Sequence, residues 1–275
     1  MEQLSTFFNA NVIASDSEAI SHCTRGRLLR RFTPRNDKIV DLGITDYEVV
    51  HQQQLQLASD IALKKSDELI LITEHFPVYT CGRRTRPEDR PVGNDIPVVD
   101  IERGGELTYH GPGQIVGYPI LDLNRRKMSI PQYLRKLEEM LIAILKTYGI
   151  EGRYRQEYCA GVWSGDKKLV SIGIAVRRWV TFHGFALNVD CDLTPFRQAR
   201  PCGMSGNQMT SLKELGCNIS KEELKKKIET KLAQTFFDVI ASKAKQSPIV
   251  SEGDPSATPQ DDLRSDCHGP CGASQ

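Results

Sequence analysis

Leu169-Val170-Ser171-Ile172-Gly173-Ile174-Ala175-Val176 and Val180-Thr181-Phe182-His183-Gly184-Phe185-Ala186-Leu187-Asn188-Val189 flank Arg177-Arg178 and read as two paired strands. Alternation along the second sets Phe182, Gly184, Ala186 and Asn188 on one face, with His183, Phe185 and Leu187 on the other. Further strands are expected at Glu68–Thr73, at Pro97–Ile101 and at Ile115–Leu121, the last interrupted by Gly117 and Pro119. Asp46 can cap a helix running to about Leu63. Pro131 opens another, with Leu134, Leu137, Leu141, Ile144, Leu145 and Tyr148 on one face and Gly149 as its stop. Ser220 and Glu223 form a capping box for a third, with Leu224, Ile228, Leu232 and Phe236 along one side. Several strands follow one another without crossover helices. The pattern predicts an α/β chain of the α+β type, a mixed sheet with helices on one side.

The chain has 275 residues, 39% of them hydrophobic, enough for one large domain or two smaller ones. Its net charge of +1 argues neither for nor against nucleic acid, so local charge must carry any partner argument. No run of apolar residues is long enough for a membrane helix. The first twenty residues lack a basic stretch followed by an apolar one, so no secretory signal is expected and a cytoplasmic location is. Eight cysteines, at 23, 81, 159, 191, 202, 217, 267 and 271, are too scattered for a small disulfide scaffold and read as free thiols. Cys267-His268-Gly269-Pro270-Cys271 offers three ligands without a second pair, so no metal is expected there.

The ends differ from the middle. Val12-Ile13-Ala14-Ser15 recurs as Val239-Ile240-Ala241-Ser242. Asn11–Lys38 is basic and aperiodic, and Lys243–Gln275 is rich in Ser, Pro, Gly, Asp and Gln. Such a tail cannot bury enough surface to offset its ordering entropy. Both ends resemble translated copies of dispersed palindromic repeats. The expected organisation is an N-terminal extension over 1–38, a folded domain over 39–238 and a disordered tail over 239–275.

Three segments carry chemistry. Arg103-Gly104-Gly105-Glu106-Leu107-Thr108-Tyr109-His110-Gly111-Pro112-Gly113-Gln114 reads as a glycine-dense loop that lets backbone approach a ligand. It matches neither the P-loop nor the dinucleotide fingerprint. Lys167-Lys168 opens the first paired strand. Pro201-Cys202-Gly203 places a cysteine in a turn, where exposure suits reactivity. Cys81, also followed by glycine, is its rival; Cys159, Cys191 and Cys217 read as packing residues.

These segments come in a fixed order: R-G-G-x-x-T-x-H-G-P-G-Q at 103–114, then G-x-K-K-hydrophobic-x-S-hydrophobic-G at 165–173. F-H-G-hydrophobic-A-L-N-V follows at 182–189, then D-L-x-P-F at 192–196 and P-C-G at 201–203. Along about 200 residues the set resembles the octanoyltransferase family of lipoate biosynthesis. The resemblance implies a fold like the catalytic domains of biotin and lipoate protein ligases. It implies transfer of octanoyl from octanoyl-acyl carrier protein to a lysine of lipoyl domains, those of 2-oxoacid dehydrogenase subunits and the glycine cleavage H protein. It makes Cys202 the acyl acceptor and Lys168, rather than Lys167, the group that lowers its pKa. Arg103, Gly104, Gly105, Glu106, Leu107, Thr108, Tyr109 and His110 are expected to line the acyl pocket with Ser171, Ile172, Gly173, Gly184, Phe185 and Ala186. No cofactor, metal, nucleic acid or membrane is implied, and a monomer is expected. The terminal segments and the cysteine count depart from the family pattern.

Basic clusters at Arg83-Arg84-Arg86, Arg125-Arg126-Lys127 and Arg177-Arg178 are candidates for docking acidic partners. Two other readings stay open. An ATP-dependent lipoate or biotin ligase would need no cysteine nucleophile, and an inactive acyl-protein binding module would bind the carrier without turnover.

Overall fold

The computed structural model describes residues 38–91, 95–155 and 160–238, and only the backbone of Cys202 and Asp238. The expectations for the two ends, for Cys23 and Cys159 and for Cys267–Cys271 lie outside the described residues. Six strands form the main sheet: β1 (Ile39–Thr45), β2 (Leu69–His75), β6 (Gln114–Ile120), β9 (Val180–Asn188), β8 (Lys167–Arg177) and β7 (Gly161–Ser164), in that spatial order. Only β1 and β2 run parallel; every other neighbouring pair in this sheet is antiparallel. A smaller sheet sets β3 (Val78–Cys81) between β4 (Val98–Asp100) and β5 (Leu107–His110).

Helices flank the main sheet on both faces, so the expected mixed sheet flanked by helices is borne out and only the one-sided placement read from the strand pattern is corrected. Helix α1 (Tyr47–Ala62) packs Val50, Ala58 and Ile61 against Leu69, Leu71, Val116, Phe182 and Ala186. On the other face, α2 (Ile130–Lys146) and α4 (Lys221–Ala233) pack Leu137, Leu141, Leu224 and Ile228 against Ile70, Ile72, Ile115, Phe185 and Leu187. Strand β2 is apolar at consecutive positions because both of its faces are buried. Asp46 caps α1 by accepting from the Val49 N–H, and Ser220 caps α4 by accepting from the Glu223 N–H. Helix α2 carries a full capping box, Ser129 with Gln132, which the sequence reading passed over. A third, four-residue helix, α3 (Thr194–Arg197), and the one-turn segment Pro201–Gly203 follow β9.

Pro119 shapes the centre of the sheet. The β6–β9 pairing runs from Gln114 opposite Asn188 to Gly117 opposite Phe185, and continuing it would set Pro119 opposite His183. Proline has no N–H to give. The His183 carbonyl therefore has no donor on Pro119, the ladder stops, and the His183 N–H is taken by Gln54 Oε1 on α1, at 2.7 Å. The Thr181 hydroxyl spans the gap, donating to the Pro119 carbonyl at 2.7 Å and accepting from the Leu121 N–H. His183 adopts φ +57°, in the left-handed region. That breaks the strict alternation. His183 stacks on His51 of α1, on the Phe182 side of the sheet, and not with Phe185 and Leu187 as alternation predicted.

Candidate active site

A cleft of about 490 Å³, partly open to solvent, lies between the sheet and the segment that precedes β5. Strand β5 explains how the glycine-dense stretch contributes to it. The sequence reading took 103–114 as a loop, whereas Leu107–His110 pairs antiparallel with β3. Pairing imposes alternation, so Thr108 and His110 face the cleft while Leu107 and Tyr109 enter the core beside Tyr79 and Phe196. Arg103, Gly105 and Glu106 line the cleft, and Gly104 does not; its N–H bonds the Ile174 carbonyl at 2.8 Å. Ser171, Ile172 and Gly173 of β8 and Gly184, Phe185 and Ala186 of β9 form the opposite wall.

Tyr47, Val116, Tyr118 and His183 also line the cleft and were missed. Tyr47 is the first residue of α1, and nothing local in the sequence marks it as facing a site. His183 reaches the cleft through its positive φ, which alternation cannot anticipate.

Small residues keep this region open. A Cβ on Gly184 would sit 2.0 Å from the Gly117 carbonyl oxygen, and one on Gly117 would enter the Phe185 ring. Arg103 is 7% exposed, with Nη2 donating to the Thr80 carbonyl at 2.7 Å and to the Thr80 hydroxyl at 3.0 Å. The guanidinium is thereby fixed beneath the cleft.

Lys168 lines the cleft and is 1% exposed. Its neighbour Lys167 points outward, 3.7 Å from Glu214, as strand alternation requires. Lys168 Nζ lies 5.7 Å from the centre of the Trp163 ring, within cation–π range. Gly161 makes room for it, since a Cβ there would come within 2.7 Å of Lys168 Cε. Glu138 is nearby. Burial raises its pKa, while the Gly161 N–H, Arg135 and Lys168 oppose that shift.

A polar chain fixes the backbone around Lys168. The Gln114 amide donates to the Tyr109 carbonyl at 3.1 Å and to Asn188 Oδ1 at 3.0 Å. Asn188 donates to the Thr210 carbonyl at 2.8 Å, and the Thr210 N–H to the Lys168 carbonyl at 3.0 Å. Because the Gln114 NH₂ is committed, its oxygen faces His110 Nδ1 at 3.1 Å, which must then carry the proton. Burial lowers the His110 pKa well below the ordinary value, with His75 and Arg103 adding to the effect. His110 is a neutral imidazole whose Nε2 is the acceptor.

The turn holding Cys202 meets the same cleft. Gly203, at φ +66°, lies so close to the cleft-lining Glu106 that a Cβ would be 2.9 Å from Glu106 Oε2. The turn is pinned by the Arg200 N–H to the Asp89 carbonyl at 3.2 Å and by buried Met204. Cys81, the rival thiol, is 2% exposed in β3, and burial raises its pKa. Cys191 is pushed up to about 12 by burial. Both are packing residues.

The architecture matches a solved bi-partite lipoate protein ligase from Thermoplasma acidophilum with a TM-score of 0.53, at 16% identity, over 72% of this chain and 83% of that one. That likeness establishes the fold. Residues 46–233 match the lipoyl protein ligase A/B catalytic domain, and the chain belongs to this family. Among curated relatives, the octanoyltransferase of Geotalea uraniireducens is 44% identical over 201 residues, 73% of this chain and 92% of its own. That of Syntrophotalea carbinolica is 47% identical over 192 residues, 70% of this chain and 90% of its own. The chain is therefore an octanoyltransferase-type acyltransferase.

Proposed function

We propose that the protein transfers octanoyl from octanoyl-acyl carrier protein to a lysine of lipoyl domains, through a thioester on Cys202 activated by Lys168. The observation that carries this reading is the shared cleft: buried Lys168 lines it and the Pro201–Gly203 turn abuts its wall at Glu106. A free thiol has a pKa near about 8.5, and an adjacent ammonium favours the thiolate. The thiolate attacks the carrier's thioester carbonyl; the carbon–sulfur bond to the carrier breaks and its thiolate leaves, taking up a proton. One thioester replaces another, so the step is close to isoenergetic. The acceptor amine, after losing its own proton, displaces Cys202, and amide formation drives the sequence. Lys168 is the proposed proton relay for that second step.

Val116, Ile172, Phe185 and Ala186 supply apolar wall for the acyl chain. At roughly 0.8 kcal/mol per buried methylene, an octanoyl tail gains on the order of 5 kcal/mol. The acceptors are the lipoyl domains of 2-oxoacid dehydrogenase subunits and the glycine cleavage H protein. The enzyme works as a cytoplasmic monomer, with residues 39–238 as its catalytic domain. No described helix is long and apolar enough to cross a membrane.

Intact-mass measurement after mixing with octanoyl-acyl carrier protein, without ATP, tests this directly. One hydroxylamine-labile octanoyl adduct, absent from Cys202→Ala, is expected. Activity that appears only with ATP and free octanoate would replace this reading with a ligase. Carrier binding with no adduct and no turnover would replace it with a binding module.

A further inference from the structure

His51, Glu102 and His183 come from three elements: α1, the segment after β4, and β9. Their donor atoms converge. His51 Nε2 is 3.0 Å from Glu102 Oε2, His183 Nε2 is 3.8 Å from the same oxygen, and all three donors lie within 4.8 Å of one another. The two imidazoles stack, with centroids 5.2 Å apart and planes at 24°. His183 is 2% exposed, and its Nε2 meets Glu102 Oε2 only at 3.8 Å, beyond hydrogen-bond length. A buried polar atom held at this distance from its partner is costly, so its retention calls for a reason. The other ring nitrogen, Nδ1, faces Tyr47 Oη at 3.5 Å. Outer partners of this kind fix the tautomer of metal-binding histidines. With the proton on Nδ1, the Nε2 lone pair points toward a carboxylate, two electron-rich atoms that a cation would reconcile.

We propose that His51, Glu102 and His183 form a site for a divalent cation of the zinc type. Metal–ligand distances of about 2.0–2.2 Å in a tetrahedral set separate donors by roughly 3.4 Å. The observed spacings bracket that value, so small side-chain adjustments suffice. Two imidazoles and one carboxylate suit Zn²⁺ or Co²⁺ and not Mg²⁺ or Ca²⁺. Arg103 is the nearby charge that opposes the cation, and its guanidinium is held at Thr80 instead. The ion ties α1 to β9 and to the residue before Arg103. It braces the cleft wall on the side where Pro119 interrupts the ladder. The site borders the cleft through His183, and neither Cys202 nor Lys168 is among its ligands.

Titrating the full-length protein with Co²⁺, read by visible absorption and calorimetry, tests the proposal. The expected result is one equivalent bound, with d–d bands of nitrogen and oxygen ligation and no thiolate charge-transfer band. His51→Ala should weaken binding by more than the roughly 10–100-fold typical of losing an outer-shell partner. Glu102→Gln, close in shape to the native side chain, should show the same loss even if His51→Ala folds poorly, with circular dichroism checking both folds. Thiolate-type spectra, binding unchanged in the variants, or no uptake of Co²⁺ or Zn²⁺ would each overturn it.

Discussion

Lys168 sits at a position that is 1% exposed, and Trp163, Gly161 and Glu138 are arranged around it. Replacing it with alanine should slow formation of the acyl-enzyme by on the order of 100-fold or more, the range typical of positioned acid–base groups. Rapid-quench intact mass checks this; normal acylation with failed deacylation would reassign Lys168 to the second step alone. His75 makes a second residue-scale prediction. Its Nδ1 donates to the Thr45 carbonyl at 3.1 Å and its Nε2 accepts from Tyr118 at 2.7 Å, so the neutral ring is fully satisfied. Burial lowers its pKa from 6.5 to about 4. The unfolded chain then binds a proton that the folded chain refuses. The stability this contributes is present above pH 6.5 and is lost as pH falls toward 4, at roughly 1.4 kcal/mol per unit. Urea unfolding between pH 6.5 and 5 should show a shallower decline in His75→Gln than in the native chain. At this scale the sequence was informative where a motif named a residue and silent where only burial decides. Both Cys81 and Cys202 precede a glycine; the proline before Cys202 marked its turn, whereas only long-range pairing shows Cys81 to lie in a strand.

The helices were legible because caps and apolar stripes are local: Asp46, Pro131 and Ser220 mark real starts. Strands β1, β3, β5 and β7 were not. Strand β5 sits inside a glycine-dense stretch, and its pairing with β3 is a long-range fact that reorients Leu107 and Tyr109 away from the cleft. His183 failed the alternation rule for an equally non-local reason, the proline that follows from the β6 register. Two substitutions test these elements. Ser129→Ala removes one half of the α2 capping box and should cost about 1 kcal/mol of stability in chemical denaturation. Gly184→Ala forces a methyl to within 2.0 Å of the Gly117 carbonyl oxygen, a backbone atom that cannot turn aside, and should cost at least about 1–3 kcal/mol, read as a lower melting temperature.

Across the whole molecule, Glu68 joins parts distant in sequence. Arg126 bonds both of its oxygens, at 3.0 and 2.7 Å, and the Asp122 N–H bonds Oε1 at 2.8 Å. Arg126 also donates to the Phe236 carbonyl just beyond α4. Both side chains are nearly buried, at 5% and 6% exposure, so Glu68→Ala should cost about 3–5 kcal/mol in a denaturant titration. Arg126 is therefore a structural residue and leaves the set of candidate docking charges. Arg83, Arg84 and Arg86 are exposed beside the cleft, with the Arg83 and Arg84 N–H groups bonded to the Arg103 and Gly105 carbonyls, while Arg177 and Arg178 sit at the far end of β8. The two half-reactions of the proposed transfer can be separated in one experiment. The octanoylated enzyme is formed from octanoyl-acyl carrier protein, freed of carrier by desalting, and mixed with a lipoyl domain in the absence of ATP. The octanoyl mass should leave Cys202 and appear, in equal amount, as an amide on one lipoyl-domain lysine. An acyl-enzyme that persists in the presence of acceptor, or transfer that proceeds only when ATP is added, would contradict the proposed transfer.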